Sequence, residues 1–231
     1  MIPFTRPILS SNEALYLESV CRTQRPWGGG EFYGHASNAL SVQLGGKEVL
    51  LTQSCTSALE LAALAIDVGP GDEVIVPSYT FVSSANAFAL RGAKIVFADS
   101  EPATMNLDVD KLEALITPRT RAIVAVHYGG VACDMDTLIR ISAKHNLVLI
   151  EDAAQAIGAN YKNEPLGTLG DFGCISFHGT KNISSGEGGA LILGGSNRVF
   201  HERARLAHEK GTDRSAFLRG EVDKYTWRTL G

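Results

Sequence analysis

The stretch LVLIEDAAQAIGA (Leu147–Ala159) opens with four apolar residues and turns at once into two carboxylates, Glu151 and Asp152. A short apolar run bounded this way reads as a buried strand. Similar runs recur along the chain at Glu48–Thr52, Glu73–Val76, Lys94–Ala98, Ala122–Val126, Gly173–Phe177 and Ala190–Leu193, with Leu147–Ile150 among them. Helical patterns fall between them at Ser57–Ile66, Ser83–Arg91, Val109–Ile116, Met135–Lys144 and Asn197–Glu209. Strands separated by helices of this length predict an α/β fold with a largely parallel sheet. Ligands of such folds gather at the carboxyl ends of the strands.

At 231 residues the chain has room for one large domain, or one domain and part of another. A hydrophobic content of 45% and a charged content of 20% are those of an ordinary globular protein. A net charge of −4 gives no reason to expect nucleic acid or an anionic membrane as partner. The most basic stretch, Arg198 to Arg214, interleaves Glu202, Glu209 and Asp213 and reads as a solvated helix face. The start, MIPFTRPILSSNEALYL, lacks a signal-peptide pattern, and no apolar run approaches the ~20 residues needed to span a bilayer. Cys21, Cys55, Cys133 and Cys174 are scattered with no C-x-x-C pair, so neither a disulfide framework nor a metal site is indicated. A cytoplasmic protein is expected. A polar, glycine-rich opening, WGGGEFYGH (Trp27–His35), precedes the first strand.

Four strand ends carry candidate chemistry. LLTQSCTSALELAALAI (Leu50–Ile66) runs from strand to helix through hydroxyl-rich residues, giving either a plain helix cap or a phosphate cradle at the helix N-terminus. In VIVPSYTFVSSANA (Val74–Ala87), Tyr79 and Phe81 either stack on a flat ligand or pack helix against sheet. Asp152 is costly to desolvate unless paired, so it either caps the following turn or meets a cationic partner such as a protonated ring nitrogen. Gln155 follows it by three. In SFHGTKNISSGEGGA (Ser176–Ala190), Lys181 sits among glycines, five residues after Ser176. It is either part of a surface turn or, where its surroundings favour the neutral amine, a nucleophile for an aldehyde. A phosphate cradle, an aromatic plate, an acid and an amine together are the equipment for pyridoxal phosphate. A nicotinamide enzyme would want G-x-G-x-x-G after the first strand, and Gln53–Ser57 contains no glycine.

On PGDEVIVPSYTFVSSANA, NLDVDKLEALITPRTRAIVAVHYGG, EDAAQ, SFHGTKN and GEGGA, the chain resembles the DegT/DnrJ/EryC1/StrS sugar aminotransferases over almost its whole length. The resemblance implies an aspartate-aminotransferase-type large domain over residues 1–231. It implies that the C-terminal small domain is missing, because family members continue well beyond YTWRTL into that domain and into a residue serving the neighbouring subunit. Lys181 would then bond pyridoxal 5′-phosphate as a Schiff base and move the proton between the cofactor and the sugar's C4. Asp152 would hold the ring nitrogen protonated, Gln155 would bond the ring hydroxyl and Phe81 would lie on the ring. Thr56, Ser57 and Ser176 would bind the phosphate, and His178 would either contact the substrate or be a histidine of the core or of the layer behind the site.

MIPF, LLTQSCTSALELAAL, SANAFALRGAKIVFAD and RGEVDKYTW narrow the likeness to the members that make dTDP-4-amino-4,6-dideoxygalactose. A homodimer would take glutamate as amino donor and dTDP-4-keto-6-deoxyglucose as acceptor. The product would feed a surface polysaccharide such as enterobacterial common antigen or lipopolysaccharide. An inactive truncated paralogue, a cofactor-binding regulator and a sugar 3-aminotransferase are the alternatives.

Overall fold

The apolar runs form strands because β-branched residues suit a pleated surface buried on both faces. The computed structural model describes residues 2, 5, 6, 8, 10, 12–24 and 28–231. Trp27 and most of the MIPF start lie outside the described residues. The strands are β1 (Glu48–Thr52), β2 (Glu73–Pro77), β3 (Lys94–Ala98), β4 (Thr120–Val126), β5 (Val148–Asp152), β6 (Asn160–Tyr161), β7 (Glu164–Pro165), β8 (Phe172–Ser176) and β9 (Gly189–Leu193). The helices are α1 (Glu13–Thr23), α2 (Glu31–Gln43), α3 (Cys55–Ala65), α4 (Ser83–Ala89), α5 (Met135–His145), α6 (Arg198–His208) and α7 (Arg214–Leu218).

A seven-stranded sheet has the order β1-β9-β8-β5-β4-β2-β3. All of its strands run in one direction except β9, which is antiparallel to both β1 and β8. The exception follows from the connection. Phe177–Gly188 returns directly from β8 to β9 without a crossover helix, and only an antiparallel partner can be reached that way. This return loop carries Lys181.

Strand alternation sends Val74 and Val76 to one face and Ile75 to the other. On the first face α3, α4 and α6 pack, with Leu59, Phe88 and Phe172 in the core. On the second face α5 packs through Met135, Leu138 and Ile141, and α2 closes the far end around Leu44. Helix α3 buries Cys55, Ala58, Leu59, Leu61, Ala62, Ala63 and Ala65, because it is wedged between sheet and helices on several sides.

Three differences from the sequence expectation have physical causes. The helix expected over Val109–Ile116 shrinks to a 3-10 turn at Leu112–Leu115. Its start is held by the bridge Ser100↔Leu107, and Thr117 precedes Pro118, which disfavours a helical continuation. Helix α3 begins two residues earlier than expected, because Ser54 is the N-cap and accepts the Ser57 N–H. Helices α1, α2 and α7 and the small β6–β7 hairpin were absent from the sequence reading. That hairpin turns through Lys162 (φ 47°) and Asn163 (φ 73°), the backbone a two-residue turn requires.

Candidate active site

The carboxyl ends of β1, β4, β5 and β8 and the loop after β2 surround one cavity of about 480 Å³, a volume suited to a small ligand or cofactor. Of the residues singled out from sequence, Thr56, Phe81, Asp152, Gln155, Ser176, His178 and Lys181 all line it. Ser57 does not: its N–H donates to Ser54 Oγ and its hydroxyl lies 3.2 Å from the same atom.

Asp152 is buried at the end of β5. Its Oδ2 accepts the Ser84 hydroxyl at 2.6 Å and its Oδ1 accepts the Ala154 N–H at 3.2 Å. Among the described residues no cation lies within ion-pair distance of it. Burial pushes its pKa up, against the pull of the Ser84 hydroxyl and the Ala154 N–H. An acid so placed fits a cationic ring nitrogen, which is the test the cavity sets for a pyridoxal-type group.

Lys181 is half-buried on the β8–β9 loop, and its N–H donates to the His178 carbonyl at 2.9 Å. Among the described residues its Nζ has no hydrogen bond or ion pair, so the amine is available to a ligand. Cys55 also lines the cavity, but burial and the neighbouring Asp152 push its thiol well up, so it does not compete as a thiolate.

The start of α3 forms another wall. The Cys55 and Thr56 N–H groups precede its first intrahelical bond and sit at the positive end of the helix dipole, while the Ser57 N–H is held by Ser54 Oγ. Thr56 Oγ1 lies 2.7 Å from Ser83 Oγ, so hydroxyls of two helices meet there. The approach depends on Gly189, because a Cβ on it would lie 2.3 Å from the Ser54 carbonyl carbon. Only glycine lets the cap of α3 rest on β9, beside the loop that carries the lysine.

Gln155 Oε1 accepts the Gly129 N–H at 2.6 Å, which leaves its NH₂ as the free, donating end. Phe81 is 70% exposed at the rim. Tyr79 does not line the cavity but packs on Tyr128, which does, with ring centroids 4.6 Å apart. His178 Nδ1 accepts the Thr180 N–H at 3.2 Å, and Nε2 lies 3.6 Å from a Glu187 carboxylate oxygen. The sequence reading missed Ser83, Ser84, Tyr128 and Glu187. The hydroxyls of the Ser83-Ser84 pair at the start of α4 were the available signal.

Glu151, adjacent to Asp152, faces elsewhere. Its Oε1 accepts the N–H groups of Leu169 and Gly170, each at 2.7 Å. Its Oε2 accepts the Gly167 N–H at 2.8 Å and meets His127 Nε2 at 2.9 Å. Burial opposes charge on His127. Hydrogen-bond geometry favours the neutral ring: Nδ1 accepts the Cys133 N–H at 3.2 Å, so the single ring proton lies on Nε2, toward Glu151.

The profile of the DegT/DnrJ/EryC1/StrS aminotransferase family matches residues 8–228. The chain belongs to this family. It is 42% identical over 212 residues to the GDP-perosamine synthase of Caulobacter vibrioides, covering 92% of this chain and 57% of that protein. The PLP-form of Spr1654 from Streptococcus pneumoniae superposes with a TM-score of 0.87 at 28% identity, covering all of this chain and 62% of that one. The structure of DesI in the presence of its TDP-sugar product gives a TM-score of 0.82 at 35% identity, covering 91% and 53%. The chain thus spans roughly six-tenths or less of the length of these relatives. The α/β aminotransferase fold expected from sequence is the fold found, and the expected cofactor is the one in a solved relative's PLP-form. Among the described residues no helix is long and apolar enough to cross a membrane.

Proposed function

We propose that this chain is the cofactor-binding large domain of a pyridoxal 5′-phosphate-dependent aminotransferase of nucleotide-linked keto sugars. The observation that carries the reading is one cavity holding both a lysine amine and a buried carboxylate that, among the described residues, have no ion-pair partner. Pyridoxal phosphate, when bound, supplies an aldehyde and a ring that withdraws electrons from the carbon bearing the amino group. Lys181 provides the amine that attaches to it and carries a proton on Nζ. Asp152 holds the proton on the ring nitrogen by charge. The first turn of α3, Thr56 and Ser176 bind the phosphate through N–H and hydroxyl donors, and the part expected of Ser57 falls away because it is turned to Ser54 outside the cavity. Gln155 donates from its free NH₂ to the ring oxygen, and Phe81 covers the ring and excludes water. His178 contacts the sugar nucleotide.

The finer reading is amination at C4 of dTDP-4-keto-6-deoxyglucose with glutamate as donor, giving dTDP-4-amino-4,6-dideoxygalactose. It includes a cytoplasmic homodimer that feeds surface polysaccharide synthesis. A sugar-nucleotide substrate is supported by the names of two relatives, a GDP-perosamine synthase and DesI, solved in the presence of its TDP-sugar product. The C4 position rests on the likeness in LLTQSCTSALELAAL and RGEVDKYTW. Borohydride reduction after loading with pyridoxal phosphate, followed by peptide mapping, should place the label on Lys181. Label on Lys162 or Lys210 instead would overturn the assignment. Incubation with glutamate and dTDP-4-keto-6-deoxyglucose should yield a 4-amino-4,6-dideoxy sugar, and turnover of a 3-keto isomer alone would overturn the C4 assignment.

A further inference from the structure

Behind the floor of the cavity runs a chain of side chains that the reaction as proposed does not use. Thr80 lines the cavity, and its Oγ1 lies 2.7 Å from Ser84 Oγ. Ser84 is fully buried, does not line the cavity, and lies 2.6 Å from Asp152 Oδ2. An ionised carboxylate only accepts, so Ser84 must donate to Asp152 and in turn accept from Thr80. The order of donors is fixed by the charge at its end, and both hydroxyls point their protons toward Asp152. The neighbouring Ser83 turns instead to Thr56 at the start of α3, so two successive residues of one helix serve two parts of the site.

We infer that Ser84, backed by Thr80, is a positioning residue that keeps Asp152 ionised and aimed at the ring nitrogen of the cofactor. The inference rests on the proposed pyridoxal phosphate site. A charged acceptor gains more from a short hydroxyl contact than a neutral one, and inside a protein that gain is not shared with water. Ser84 touches Asp152 without lining the cavity. It therefore tunes the acid without occupying cofactor space.

The test separates this role from packing by using two ligands that differ at one ring atom. Dissociation constants are measured for pyridoxal 5′-phosphate and for its 1-deaza analogue, whose ring has no nitrogen to meet Asp152. The original protein should prefer the pyridine ring. Ser84→Ala should reduce that preference about tenfold or more, the range for removing a hydrogen bond to a charged group, while leaving affinity for the analogue nearly unchanged. Thr80→Val should act in the same direction with a smaller change, and provides the test if Ser84→Ala does not fold. Equal weakening of both ligands by the variants would make Ser84 a packing residue and overturn the inference. An unchanged preference in both variants would overturn it too. Failure of the original protein to bind either ligand would overturn the proposed site, and the inference with it. Binding both ligands equally would leave the lysine attachment standing and remove the role of Asp152 on which Ser84 acts.

Discussion

Glu151 and Asp152 are neighbours on one strand, both buried, and they have opposite surroundings. The Glu151 carboxylate is saturated by three backbone N–H groups of the turn Gly167–Gly170 and by His127, the residue just after β4. Asp152 has a hydroxyl, one longer N–H contact, the distant Cys55 thiol at 3.9 Å and open cavity. Burial alone therefore does not distinguish a structural acid from a chemical one. The difference lies in how much acceptor capacity the fold has left unused.

The comparison breaks most visibly through Glu151. Glu151→Ala strands the N–H groups of Gly167, Leu169 and Gly170 and removes the partner of His127. Loss of a buried, fully bonded carboxylate should cost about 3 kcal/mol or more in unfolding free energy. Urea unfolding of the two proteins measures it, and a cost below about 1 kcal/mol would show that the turn finds other partners.

Asp152→Asn should do the reverse. The shape is kept, so the fold should survive, while the half-reaction with glutamate should slow by about a hundredfold because charge on the ring nitrogen is no longer supported. Single-turnover formation of 2-oxoglutarate by the holoenzyme reports it. A near-normal rate would return Asp152 to the role of a cap for the Ala153–Ala156 turn.

This contrast also marks what was legible beforehand. The strand under Leu147–Ile150 was visible from its apolar run, and so were the other sheet strands, because continuous branched runs carry the signature of burial on both faces. The lysine and the acid were visible because each stood where an apolar segment ended in groups that resist burial. The roles within the Glu151-Asp152 pair were not visible. The partners of Glu151 lie just after β4 and in the turn before β8, and nothing local to EDAAQ distinguishes it from Asp152. Helix α2 was hidden by the polar, glycine-rich composition of its start, and it is held by tertiary contacts of Leu40 and Leu44. Similarly, the free edge of β1 is satisfied at Leu51 by Tyr33 and His208 side chains, a pairing that no spacing rule anticipates.

A smaller effect is expected at the rim. Phe81→Ala removes the aromatic cover without touching either acid, and should weaken pyridoxal phosphate binding by about tenfold, the scale of a lost ring contact. Fluorescence titration would read it. An unchanged affinity would assign ring cover to Tyr128, whose ring also lines the cavity.

The finest test is the pH dependence of stability in the cofactor-free protein. Burial raises the pKa of Asp152, partly offset by Ser84 and Ala154, so the folded state keeps this proton to higher pH than the unfolded chain does. Its contribution is therefore complete below the unfolded value of about 4 and is lost as pH rises through the folded one. Glu73 has the opposite sign: Thr117, then Arg119 and Lys94, lower its pKa to about 2, so its contribution is present above the unfolded value and lost as pH falls. Melting curves of the original protein and Asp152→Asn should diverge as pH rises from 4, with the variant becoming the more stable of the two. Adding pyridoxal phosphate should invert that order near neutral pH, because a cationic ring nitrogen then favours the ionised acid. Parallel curves without the cofactor would mean that Ser84 and Ala154 fully offset burial. Parallel curves with it would mean that Asp152 does not face the ring nitrogen, and the contrast with Glu151 would lose its chemical half.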